Sequence, residues 1–174
     1  MNRFAKLSVV LLLLSVSVCL SRPAAADDAL VSREYQLKAL YLFHFVELTE
    51  WPKADQVTIC LWGDSPLRAY LPALDGQQVG GSTVQAVSEP LPEMARCQIL
   101  FLSDPHTLTQ DILNQAESRH ILLVSDSEDF AERGGMIQFT LRNNKLKLIV
   151  NLAAVKRAGL KLSSKLLRMA EIVQ

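Results

Sequence analysis

Apolar residues fall in short runs along this chain, and the spacing within each run separates helices from strands. Leu37, Leu40, Tyr41, His44 and Leu48 follow an i, i+3, i+4 rhythm that predicts a helix over residues 33–48, ended by Trp51-Pro52. The middle of that helix, residues 41–46, is apolar on nearly every side, so it is expected to be sandwiched within the fold; the other reading is that a partner covers it. His44 in that setting reads as a satisfied core histidine rather than a catalytic base. Beyond Pro52, residues 57–62, 83–87, 97–103 and 120–125 read as strands, with amphipathic helices over 66–74 and 107–117 between them. Strands alternating with helices predict crossover units and a mostly parallel sheet.

The pattern changes near the C-terminus. Ile137, Phe139 and Leu141, then Leu146, Leu148 and Val150, form one face of a hairpin whose tight turn takes the positive φ values that Asn143-Asn144 supply. Asn151 is placed to cap a helix through Arg157, with Gly159 just past its end. Ser163 is placed to cap a last helix over 164–173, with Leu166, Leu167, Ala170 and Val173 as its apolar side. The elements together predict an α/β fold: a single domain with a mixed, mostly parallel sheet, flanked by helices and completed by a C-terminal antiparallel hairpin.

The N-terminal residues add a processing step. Arg3 and Lys6 without an acid, an apolar run from Leu7 to Leu20, and Ala24-Ala25-Ala26 make the three parts of a secretory signal peptide. The run is about 14 residues, short of the roughly 20 that a spanning helix needs. The alternatives are an uncleaved anchor or a lipoprotein at Cys19, where Val18 fills a place that calls for a small residue. Residues 1–26 are therefore read as the signal and 27–174 as one exported domain with no direct membrane insertion after cleavage.

Composition narrows the function. An apolar fraction of 49% in 174 residues excludes a disordered chain and fits one domain. Lys+Arg and Asp+Glu both number 18, and removing the signal takes three cations and no acid, which leaves a mildly acidic domain. No cluster of cations exceeds a dipeptide, so nucleic acid is excluded as a partner. Cys60 and Cys97 remain after cleavage, an even pair that in an exported protein predicts one disulfide; two buried free thiols are the alternative. These cysteines and His44, His106 and His120 lack metal-ligand spacing, so no metal and no cofactor are expected.

Catalytic signatures are also missing: neither a nucleophile elbow, a phosphate loop nor a dinucleotide fingerprint occurs. Asp64 and Ser65 follow one predicted strand, and Ser125 and Asp126 close another, where α/β proteins place ligand groups; these four are a candidate ligand crevice. Their plainer reading is as helix caps and turns. Arg133-Gly134-Gly135 offers a cation and backbone N–H groups to an anion, or simply a turn or bulge before the hairpin. If that loop, the hairpin and residues 151–157 share an exposed surface, then Arg133, Gly134, Gly135, Asn151 and Arg157 are candidates for partner contact.

Several short motifs occur in a telling order. After the signal come Glu34-Tyr35-Gln36-Leu37-Lys38-Ala39, Tyr41-Leu42-Phe43-His44-Phe45, Trp51-Pro52 and Ile59-Cys60-Leu61-Trp62-Gly63-Asp64-Ser65-Pro66. Cys97-Gln98-Ile99-Leu100-Phe101, Arg133-Gly134-Gly135-Met136-Ile137 and Ser163-Ser164-Lys165-Leu166-Leu167 complete the series. In this order they resemble the YfiR family over nearly the whole exported chain. The resemblance implies a periplasmic, non-enzymatic regulator whose partner is the periplasmic part of an inner-membrane diguanylate cyclase. In that role it would repress the cyclase and lower cyclic di-GMP, and envelope or redox stress would relieve the repression and favour biofilm. It also implies that Cys60 and Cys97 occupy family positions that pair. The chain lacks the second cysteine pair of some relatives, so a redox switch built on that pair is not implied here. Two further readings stay open: a periplasmic sensor that binds a small ligand in the crevice, and a hydrolase. The apolar helix also leaves a homodimer open.

Overall fold

The computed structural model describes residues 24–52, 55–88 and 93–173, and the larger of its two compact units begins at Arg33. The predicted signal falls on residues outside this range, apart from Ala24–Ala26. Helix α1 (Ala24–Leu48) leads into the short strand β1 (Thr49–Glu50) and then β2 (Gln56–Trp62). After 3-10 turns at Pro66–Ala69 and Leu71–Leu74 come β3 (Gln78–Val79), β4 (Ser82–Val87), β5 (Ile99–Leu102), α2 (Gln110–Arg119) and β6 (Leu122–Ser125). The hairpin β7 (Ile137–Arg142) and β8 (Lys145–Asn151) follows, then α3 (Leu152–Arg157), β9 (Lys161–Leu162), α4 (Ser164–Leu167) and β10 (Ala170–Val173).

The main sheet has the order β10-β8-β7-β6-β5-β2-β4-β3, and β1 pairs antiparallel with β9 in a separate ribbon. The five strands from β4 to β7 are parallel, β8 runs antiparallel to β7, and β10 lies parallel to β8. This is the expected α/β architecture with its C-terminal hairpin. Every residue of β5 and β6 is buried, as strands covered on both faces must be, which is why those two segments read as unbroken apolar runs. Asn143 and Asn144 take φ values of 52° and 55° in the hairpin turn, and Gly159 takes 68° past α3. Cys60 and Cys97 form a disulfide with a Cα–Cα distance of 5.8 Å, buried where β2 meets the segment entering β5.

Three expectations need correction. The last helix stops at Leu167 and residues 170–173 form a strand beside β8. The open edge of β8 offers ladder partners that outweigh a helical spacing shared by only a few apolar residues. Helix α1 buries Ala39, Leu42, Phe45 and Val46 against the sheet, whereas Leu37 and Leu40 on the face chosen from spacing are exposed. The helix is thus packed on one side rather than sandwiched. His44, with a side chain 45% exposed, is no core histidine: its Nδ1 lies 2.9 Å from Glu47 Oε1 at the surface. Phe139 centres the core under α1, stacked with Phe45 at 6.0 Å between ring centroids and flanked by Tyr41 and Phe101.

Candidate functional site

Three neighbouring parallel strands, β2, β5 and β6, deliver Gly63-Asp64-Ser65, Ser103-Asp104 and Ser125-Asp126-Ser127 to one edge of the sheet. The hydroxyls there are occupied. Ser103 Oγ donates to the Trp62 carbonyl at 3.0 Å, and Ser125 Oγ donates to the Leu102 carbonyl at 2.6 Å while accepting from the Ser127 N–H at 3.1 Å. Gly63 has φ +98°, and a Cβ there would collide with Ser103 Oγ, so only glycine lets the β2 and β5 ends meet. Ser65 caps the next turn by accepting from the Leu67 N–H at 3.2 Å, and Asp64 faces solvent.

Of the four crevice candidates, then, Asp64 stands apart, and β5 lies between Ser65 and the β6 end. Helix α1 bridges that gap. The Tyr35 hydroxyl lies 3.4 Å from Asp126 Oδ2, on the side of the sheet end that also holds Ser65. Lys38 Nζ donates to the same Asp126 oxygen at 2.5 Å, pairs with Glu34, and sits 4.2 Å from the Tyr35 ring centroid. Lys38 is 2% exposed. Burial alone would lower its ammonium, but the hydrogen bonds to Asp126 and Glu34 prevail and hold it above its ordinary value. Burial also raises the Tyr35 hydroxyl, with the Asp126 charge adding to the effect. Beside this cluster lies a cavity of about 300 Å³, lined by Glu34, Tyr35, Lys38, Asp126 and Glu128 together with Leu141 of the hairpin. Tyr35 and Lys38 belong to a motif that carries the family resemblance, but it gave no sign of their partners; only the fold carries them to the strand ends.

The second group of candidates converges. Arg133, Gly134, Asn151 and Arg157 line one open cleft of about 520 Å³, with Gln110 and Glu117 of α2 opposite. Arg133 donates to the Pro105 carbonyl at 3.0 Å and Arg157 Nε to Glu117 Oε1 at 2.7 Å. Asn151 works inside the fold: Oδ1 caps α3 through the Ala154 N–H at 2.9 Å, and Nδ2 donates to the Ala131 carbonyl at 2.8 Å. The double glycine has two separate causes. Gly134 adopts φ +101°, and a Cβ on the buried Gly135 would overlap the Phe130 ring.

A third cleft, of about 290 Å³ and mainly apolar, lies between α1 and the α4–β10 segment and is lined by Leu37, Leu40, Tyr41, His44, Lys165 and Met169. Among the described residues no group of three His, Cys, Asp or Glu is placed to hold a metal ion, and no helix is long and apolar enough to cross a membrane.

The fold and its clefts define an α/β domain built around a covered, mostly parallel sheet, with polar and apolar surfaces concentrated at the strand ends and one sheet edge. The YfiR/HmsC-like family model matches residues 35–171, and the chain belongs to that family. The match begins at Tyr35 and ends within β10, so it covers nearly all of the folded body, the cleft of Arg133 and all of the lining of the Asp126 cavity except Glu34. Members of the family are periplasmic regulators of diguanylate cyclase signalling, regulatory rather than catalytic. No curated protein matches the chain.

Proposed function

We propose that this protein is a periplasmic repressor that binds the periplasmic part of an inner-membrane diguanylate cyclase and lowers cyclic di-GMP output. Membership of the YfiR/HmsC-like family across residues 35–171 carries the reading. In it, residues 1–26 direct export and are removed after Ala26. The cleft that holds Arg133, Gly134, Asn151 and Arg157 is the contact surface, with Gly135 setting the loop behind it. Two exposed arginines on one cleft, over a backbone fixed by the Asn151 side chain, support contact with a partner. A tagged pull-down from solubilised inner membranes tests the reading. The expected result is recovery of a membrane protein bearing a diguanylate cyclase domain, lost when Arg133→Glu and Arg157→Glu are combined.

A small-ligand sensor is the second reading, and the cavity beside Asp126 favours it. Broad metabolite screening by thermal shift separates the two, because a ligand at 100 times its Kd adds about 2.7 kcal/mol of stability.

A further inference from the structure

Between Arg33 and Leu48 helix α1 has two faces, and the domain uses one of them. Ala39, Leu42, Phe45 and Val46 are buried against the sheet. At about 100° per residue, Arg33, Leu37, Leu40, His44 and Glu47 fall on the opposite side of the helix, within an arc of about 80°. Leu37 and Leu40, at the centre of this stripe, are 38% and 48% exposed, and Met169 across the neighbouring cleft extends the apolar area. The intervals along the stripe are four, three, four and three residues, the alternation by which one helix packs along another.

Charge runs in one direction along the stripe. Arg33 stands at the N-terminal end, exposed and without a carboxylate partner among the described residues. Glu47 stands at the C-terminal end, with His44 Nδ1 2.9 Å from its carboxylate. A second copy of α1 laid parallel would set Arg33 against Arg33 and Glu47 against Glu47. Laid antiparallel, with Leu37 of each copy against Leu40 of the other, it brings Arg33 of each copy to the His44–Glu47 turn of the other. Two attractive pairs then flank four leucines, so the surface complements itself about a two-fold axis.

We infer that the protein forms a homodimer in which the exposed stripes of two α1 helices pack antiparallel. The stretch from Arg33 to Leu48 is about 24 Å long, which places the interface among small ones and its dissociation constant in the micromolar range. The pairing leaves the cleft of Arg133 open. Phe139 stacks on Phe45 of α1, so its neighbour Gln138 points to the other face of the sheet. There Gln138 Oε1 accepts from the Ala131 N–H at 3.1 Å and Asn151 Nδ2 donates to the Ala131 carbonyl, which puts the cleft of Arg133, Asn151 and Arg157 on the face away from α1. Each dimer therefore presents two such clefts, one per copy, and the pairing does not rest on what they bind.

Sedimentation equilibrium of protein purified from the cell envelope, over a concentration series spanning the micromolar range, tests the inference without any cyclase present. The wild type is expected to pass from monomer to dimer. Combining Leu37→Ser with Leu40→Ser should raise the dissociation constant at least about a hundredfold, since four leucines lose their cover. Arg33→Glu and Glu47→Arg should each raise it about tenfold, because each turns two attractive pairs into like-charge contacts. The chain carrying both reversals should regain wild-type dimerisation, a rescue that only the antiparallel arrangement allows. Circular dichroism checks that every variant is folded. A wild type that stays monomeric throughout would overturn the inference, as would a dimer indifferent to the serine replacements or a double reversal that fails to recover. A monomeric wild type whose serine variant loses a partner in a membrane pull-down would also overturn it, by assigning the stripe to another protein.

Discussion

Lys38 Nζ lies 2.5 Å from Asp126 Oδ2 and fastens α1 to the end of β6 across 88 positions of sequence. The carboxylates of Asp126 and Glu34 are partly exposed while the ammonium is buried, so removing one carboxylate strands the cation more than it frees an acid. Asp126→Ala is expected to destabilise the domain by about 2 kcal/mol, less than a fully buried pair would show because water reaches the carboxylates. Combining Asp126→Leu with Lys38→Met should recover much of that loss, because no buried charge then lacks a partner. Urea unfolding of the single and double variants measures both effects.

The same cluster gives stability an alkaline dependence. The folded-state values of Lys38 and Tyr35 are both raised, so their contribution is fully present below their ordinary values of 10.5 and 10.0 and is lost as pH rises through the folded-state values. The unfolding midpoint should therefore fall more steeply above about pH 10 in the wild type than in a Tyr35→Phe, Lys38→Met double variant. Parallel curves for the two proteins would show that this cluster does not govern alkaline stability.

Gly134 and Gly135 respond to alanine for different reasons. At Gly135 the added methyl meets the Phe130 ring and should cost about 2 kcal/mol through overpacking. Gly134→Ala places a side chain at φ +101° and should cost about 1 kcal/mol through backbone strain. Adding Phe130→Leu should relieve the first penalty and leave the second unchanged, which thermal unfolding of the four variants can resolve.

The Cys60–Cys97 bond is buried and spans 37 positions, so it should act as a staple. Replacing both cysteines by serine is expected to reduce stability by about 3 to 4 kcal/mol on the chain-entropy model. Mild reductant should leave the native protein's thermal midpoint unchanged over minutes, because the sulfurs become accessible only on opening of the core. A midpoint that drops at once in reductant would point instead to a redox-responsive bond.

Much of the fold was legible because the buried strands β5 and β6 are short apolar runs and the hairpin alternates strictly about Asn143-Asn144. The face of α1 was not. Its central residues are apolar all round, so spacing could not distinguish Leu37 and Leu40 from the core positions Ala39, Leu42 and Val46. Residues 164–173 failed for a related reason, since a few apolar positions satisfy both a helical and a strand period, and the unpaired edge of β8 decides between them. In the candidate sites, local chemistry was readable and convergence was only partly so. Asn151 was recognisable as a cap and Gly134 as a turn residue, yet nothing in the sequence places Tyr35 and Lys38 over Asp126. That arrangement depends on where α1 crosses the sheet, a non-local consequence of packing.

The proposed repression of a membrane diguanylate cyclase, by contact through the cleft of Arg133 and Arg157, can be measured at the cyclase itself. The most direct measurement is cyclic di-GMP synthesis by inner-membrane vesicles that expose the cyclase's periplasmic side, with and without added protein. The purified protein is expected to lower synthesis in a saturable way, and the Arg133→Glu, Arg157→Glu variant, folded normally, is expected not to. Synthesis unaffected by saturating wild-type protein would contradict it.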